Sequence, residues 1–264
     1  MHPSLGLNLI TWAICFSLNI SFFRVNSDPR VTVAGPLCDT AQATGSSIPT
    51  FVRTMERLSY QLNYPRSNFA TARFSNTTFT IYALFQYHRD LSHFDCLSCY
   101  AVSHPAIPNC LPKTSGRYFL DGCFLRYDNY SFFHDAIDPA TDTRNCHTSL
   151  SGGVWSYGGL DFPTVVRDLV ENLAQLALSN NGFGVMGQKG VFGLAQCWER
   201  LSKEECRICL NKAKTEAKGC LPSPEGRSMN AGCFLRYSTH RFFNDDLIAD
   251  GGNSGNLHGH FYFE

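Results

Sequence analysis

The 264-residue sequence predicts an α+β protein of two tandem domains, each with two helices against an antiparallel sheet. Three observations predict it. The first is an internal repeat: Cys96, Cys99, Cys110 and Cys123 recur 110 residues later as Cys206, Cys209, Cys220 and Cys233. GCFLRY at Gly122–Tyr127 recurs at Gly232–Tyr237 in the same gapless register, which means two homologous units of about 105 to 110 residues. The second is that helical and extended periodicities alternate inside each unit. The third is cysteine: 12 in the chain, 11 of them after an apolar N-terminus, the pattern of a disulfide-stapled exported chain.

The elements follow in chain order. Leu5 to Phe23 is mostly apolar and gives way to the polar VNSDPR, so residues 1–27 read as a secretory signal peptide cleaved near Ser27. No later stretch approaches the roughly 18 apolar residues of a membrane span. The mature chain is expected to be secreted, with no span. Residues 28–137 form the first unit, 138–145 join, and 146–246 form the second. Phe51, Val52, Met55, Leu58 and Leu62 fall at helical spacing, as do Val165, Val166, Leu169, Leu173 and Leu176, with Asp161 and Pro163 as a start signal. A second helix starts at Ser202, where Glu205 completes a capping box; Ser92 and Asp95 are the counterpart. Phe124 and Arg126 alternate with Leu125 and Tyr127, a strand pattern, and Phe74–Tyr82 and Gly184–Gly193 are further strand candidates. A Gly- and Asn-rich tail, 247–264, closes the chain.

Losing Cys15 with the leader leaves an odd number of cysteines. The second unit has Cys146, Cys197, Cys206, Cys209, Cys220 and Cys233; the first has Cys38, Cys96, Cys99, Cys110 and Cys123. Tyr87 stands where Cys197 stands, so one thiol of the first unit lacks its mate. Spacing alone leaves 15 pairings open for six cysteines. It also leaves open zinc or redox use of the two C-x2-C pairs, although export and the repeat favour structural disulfides.

Lys plus Arg equals Asp plus Glu at 22, which argues against nucleic acid as a partner. His88, His93 and His104 lack a ligand spacing, and no GxSxG, HExxH or P-loop signature is present, so neither an enzyme nor a metal or cofactor is expected. Asn76-Thr77-Thr78 and Asn129-Tyr130-Ser131 fit the N-glycosylation pattern.

C-x8-C-x2-C at Cys197, Cys206 and Cys209, followed by GCFLRY, resembles the plant ginkbilobin-homologous domain, also called the stress-antifungal domain. Two such domains behind a signal peptide resemble plant cysteine-rich repeat secretory proteins and the extracellular half of cysteine-rich receptor-like kinases. In those kinases a transmembrane helix and a kinase domain would follow a tail of this kind. The resemblance implies a five-stranded antiparallel sheet per domain. It also implies the pairings Cys38–Cys110, Cys99–Cys123, Cys146–Cys220, Cys197–Cys206 and Cys209–Cys233. Cys96 is then a free thiol. At the first turn of a helix its thiolate would gain from the dipole; packed in a core it would behave as a small apolar residue.

An antifungal member of this family binds mannose through an Asn after the first Cys, an Arg six before the last and a Glu five after it. Asp39, Arg117 and Asp128 stand at these positions in the first domain, and His147, Arg227 and Ser238 in the second. The resemblance thus implies a carbohydrate site at Asp39, Arg117 and Asp128, or an Arg kept for the fold and paired with a nearby acid. The expected function is a non-enzymatic plant defence or stress module in the apoplast, recognising a mannose-type glycan or a protein. The rivals are a receptor-kinase-type ectodomain that pairs with membrane receptors through exposed aromatics such as Phe132, Phe133, Phe242 and Phe243, whose recurrence at matched positions more often marks a core, and a directly antifungal protein.

Overall fold

The computed structural model describes residues 30–43, 47–63, 68–147, 156–157 and 160–244. The expected leader and tail lie outside them. Among the described residues no helix is long and apolar enough to cross a membrane.

The first domain runs β1 (Val33–Cys38), α1 (Ile48–Leu62), β2 (Phe69–Ser75), β3 (Thr80–Tyr87), α2 (His93–Ala106), a short 3-10 turn (Ile107–Cys110), β4 (Gly116–Leu120) and β5 (Cys123–Asp128). The second runs β6 (Thr143–Cys146), the two-residue pair β7 (Ser156–Tyr157) and β8 (Leu160–Asp161), then α3 (Phe162–Ser179), β9 (Phe183–Gln188), β10 (Val191–Cys197), α4 (Lys203–Lys218), β11 (Glu225–Met229) and β12 (Cys233–Ser238). The strand orders β1-β4-β5-β3-β2 and β6-β11-β12-β10-β9 are the same topology. Strand β6 takes up Thr143–Asn145 from the segment expected to join the domains.

The capping signals act in both copies. Ser202 accepts the Glu205 N–H while the Glu205 carboxylate accepts the Ser202 N–H, and Ser92 and Asp95 do the same at α2. Asp161 caps α3 through Thr164. The two extra strand candidates need correction, because each spans a hairpin turn. Asn76 Oδ1 accepts from the Thr78 and Phe79 N–H groups, closing an Asx turn between β2 and β3. Lys189 and Gly190, with φ of 47° and 76°, turn β9 into β10. Periodicity continued through both turns, and only the turn residues broke it.

Each sheet buries one face under its two helices. Leu125 and Tyr127 point into the first helix–sheet core with Phe51, Met55 and Leu58; Leu235 and Tyr237 point into the second with Val165, Leu169 and Leu173. The opposite faces meet each other. Leu84, Phe119 and Phe124 of the first sheet join Leu194, Met229 and Phe234 of the second and Trp198 in one cluster. The layers are therefore helix, sheet, sheet, helix. Phe124 stacks on Trp198 with centroids 4.6 Å apart and planes 9° apart, an arrangement that contributes about 0.5–1.5 kcal/mol beyond burial.

Two glutamines lock this seam reciprocally. Gln86 accepts the Glu199 N–H (2.8 Å) and donates to the Cys197 carbonyl (3.4 Å). Gln196, its repeat mate, accepts the Arg89 N–H (3.0 Å) and donates to the Tyr87 carbonyl (3.1 Å). The domains are thus related by a local pseudo-twofold. At Gly232 the chain passes so close to the end of the first unit that a Cβ would stand 2.7 Å from the Ala136 carbonyl oxygen.

Candidate functional site

Arg117 and Arg126 are cross-strand partners on β4 and β5, so they share the face that looks toward the second domain. Both are buried. Arg117 Nη2 donates to Asp138 at 2.7 Å, and its Nη1 lies 3.6 Å from Asp142; both acids belong to the connector. Arg126 Nη2 donates to Asp128 (2.8 Å), Tyr130 (3.0 Å) and Asp135 (3.1 Å), and its guanidinium sits 4.0 Å over the Phe132 ring. The second domain repeats the plan. Arg227 and Arg236 converge on Asp121 and Glu225, and Arg236 sits 4.0 Å over Phe242. Asp121 comes from the first domain, so this cluster is a charged rivet across the seam.

The three positions implied by the resemblance therefore have separate partners. Arg117 is engaged by the connector and Asp128 by Arg126. Asp39 accepts from the Thr40 and Ala41 N–H groups and from the Thr114 hydroxyl (3.0 Å). The electrostatics agree. Burial and the Arg126 charge lower the Arg117 guanidinium's pKa, opposed by Asp138 and Asp142. Burial raises the Asp128 carboxyl's, opposed by Arg126. At Asp39 burial is outweighed by its hydrogen bonds from Ala41, Thr114 and Thr40, which hold it below the usual carboxylate range. Phe132 and Phe243 are buried, and Phe133 and Phe242 are half-buried in the seam. Their repeat-matched positions serve the docked domains, as the core reading expects, and not an exposed partner surface.

Disulfides join Cys38–Cys110, Cys99–Cys123, Cys146–Cys220, Cys197–Cys206 and Cys209–Cys233. Cys96 is a free thiol, fully buried beside α1 and the first sheet. Burial, helped by Asp95, pushes the thiol pKa up. The dipole argument for a reactive thiolate at Cys96 fails here, because desolvation outweighs it. Asn76 and Asn129 are exposed, and Asn76 Nδ2 donates to Thr50 Oγ1 (2.6 Å). Among the described residues no group of three or more His, Cys, Asp or Glu could hold a metal ion.

One surface escaped the sequence reading. Phe94, Leu97, Ala101, Val102 and Pro105 are exposed along one stripe of α2, and Phe94 is 74% accessible. Their repeat mates on α4 are Glu204, Arg207, Asn211, Lys212 and Thr215. The same helix thus shows a mostly apolar outer face in one domain and a mostly polar one in the other, with the matched pair Ser98 on α2 and Ile208 on α4 as the exceptions. The signal was present in the repeat alignment, as a difference in hydropathy rather than a shared motif.

A family model described as salt stress response/antifungal matches residues 37–130 and again 145–240. Cysteine-rich receptor-like protein kinase 42 of Arabidopsis thaliana is 46% identical over 224 residues, 84% of this chain and 33% of the kinase. An antimicrobial ginkbilobin-2-like protein of Castanea crenata is 28% identical over 165 residues, 58% of this chain and 64% of that protein. The fold is similar to the crystal structure of the tandem DUF26 ectodomain of the Arabidopsis thaliana cysteine-rich receptor-like protein PDLP8. The TM-score is 0.65 at 24% identity, covering 78% of this chain and 98% of that one. The chain spans about a third of the length of the receptor kinases it matches.

Proposed function

Because the chain belongs to the salt stress response/antifungal family, carrying its domain twice, we propose that it is a non-catalytic extracellular recognition module that binds a protein partner through the first domain. The observation that carries this reading is the exposed apolar stripe on α2. Phe94, Leu97, Ala101, Val102 and Pro105 offer no side-chain hydrogen-bonding group, and the Ser98 hydroxyl among them is turned to the Phe94 carbonyl, so the stripe suits an apolar protein face better than sugar hydroxyls. The charged stripe on α4 shows that the fold does not require apolar residues at these positions. The partner chemistry proposed is a second tandem module of the same family, borne by a membrane receptor in the apoplast. That a receptor kinase carries a 46%-identical module supports this choice.

The test is equilibrium binding to the tandem ectodomain of that kinase. The variant is Phe94→Glu with Leu97→Arg, which gives α2 the residues α4 already carries. Saturable binding that weakens at least about 100-fold (two hot-spot contacts) with an unchanged melting temperature is the expected result. Binding unaffected by the double variant, or no binding by the folded wild type, overturns the reading.

A mannose-type glycan at Asp39, Arg117 and Asp128 is the second reading, and the retained acid, base and acid favour it. A sugar there would have to displace Asp138 from Arg117. The informative variant is Asp39→Asn, which restores the family's amide without touching the ion pairs. Mannose binding that strengthens in this variant supports a lectin site; no binding in either form refutes it.

A further inference from the structure

A cavity of about 220 Å³ opens where the first domain meets the start of α4. Arg89 reaches in from the first domain, and Asn181, Trp198, Glu199, Ser202 and Lys203 line it from the second. The disulfide Cys197–Cys206 also lines it. The pseudo-twofold makes Tyr87 and Cys96 the matched pair in the first domain, and there the Tyr87 ring is buried. One of the two equivalent positions thus holds an aromatic ring, and the other a compact disulfide beside open space.

The lining is unevenly charged. Arg89 donates to Glu199 at 2.6 Å, and Glu199 also accepts from Asn68 at 3.3 Å. Lys203 is exposed and has no partner among the described residues. The Ser202 hydroxyl accepts the Glu205 N–H and donates to the Glu205 carboxylate, so its oxygen keeps one lone pair for a ligand donor. The Asn181 amide adds a donor and an acceptor. Two cations against one anion favour a negative ligand. The acceptors of Glu199, Asn181 and Ser202 would go unused by a bare phosphate or acetate. At about 220 Å³ the space is below the roughly 300–1,000 Å³ typical of drug-sized ligands, so it takes one small ring.

We propose that this cavity binds a single uronic-acid residue, its carboxylate toward Lys203 and Arg89 and its hydroxyls toward Glu199, Asn181 and Ser202. The site is separate from the α2 stripe and stands independently of the protein-partner reading. Arg89 belongs to the seam, so the variant that spares the fold is Lys203→Glu.

The experiment is an NMR titration of the folded chain with D-glucuronate, D-glucose and acetate, following the Trp198 indole N–H and the Ser202 and Lys203 amides. Expected are saturable shifts with glucuronate, at least about tenfold weaker response to glucose and to acetate, and at least about tenfold weaker glucuronate binding in Lys203→Glu. The melting temperature and the α2 signals should not move. Absence of saturation with glucuronate, equal affinity for glucose, or a Lys203→Glu variant that binds like wild type would each overturn the proposal. Acetate binding as well as glucuronate would reduce the site to a carboxylate contact, and would overturn it too.

Discussion

Buried charge decides most of what single residues do here. The family resemblance implies that Arg117 is a sugar ligand or a structural Arg. Its connector acids lie 21 and 25 residues downstream, a distance at which no motif advertises a pair. Removing one member of a buried pair leaves the other uncompensated, at a cost of about 3–5 kcal/mol. Arg117→Ala should therefore lower stability by roughly that much in denaturant unfolding, and any ligand it also loses would be uninterpretable. His88 is the second case. It is buried at the seam, 5.0 Å from the Phe234 ring, and burial, then Arg30 and Arg236, hold its pKa well below the ordinary value. A lowered folded pKa means the unfolded chain binds the proton first. The stability of the neutral form is thus present above about pH 6.5 and is lost as pH falls toward the folded value, with a slope of up to about 1.4 kcal/mol per pH unit. His88→Phe should flatten the His88 part of that slope in melting curves between pH 7 and 5.

At the scale of elements, the sequence disclosed helices better than strands. Ser202-x-x-Glu205 and Asp161-Phe-Pro placed the helix starts at the residues where they occur. The hairpins at Asn76 and Lys189-Gly190 were overrun, because a period of two continues across a tight turn. The cysteine count pointed to the missing mate at Tyr87. Its partner Cys96 lies in the first turn of α2, the place that Cys206, paired with Cys197, holds on α4. Tyr87→Cys should close the matching disulfide. Thiol titration of the denatured chain without residues 1–27 would then fall from one free thiol to none. The cross-link should contribute about 2–3 kcal/mol on the chain-entropy model, less the loss of the packed ring. A thiol count that rises to two would show that the α2 turn cannot reach β3. The apolar stripe on α2 is the element-scale feature that motif reading missed, since a motif search rewards what two repeats share.

Taken as a whole, the molecule is two copies of one domain joined back to back through their sheets. The repeat made two domains legible, but not that their exposed sheet faces would become one core. The alternation of Phe124 and Arg126 with Leu125 and Tyr127 gives two faces but does not say what covers the second; Phe124 and Phe234 meet there, so each domain covers the other. The seam should make unfolding a single transition. Trp198→Ala, which removes the stack on Phe124, should cost about 3–5 kcal/mol and separate calorimetric unfolding into two steps. A rigid seam also fixes the α2 stripe and the α4 stripe relative to each other, so a partner meets one apolar and one polar helix.

The most direct measurement is methyl NMR of the chain with and without the tandem ectodomain of the 46%-identical kinase. Leu97 and Val102 report on α2, and Ile208 on α4 is the internal control on the matched helix. Shifts at Leu97 and Val102 that saturate while Ile208 stays still are the predicted result. Shifts at Ile208 alone, or none at all, would contradict recognition through the first domain.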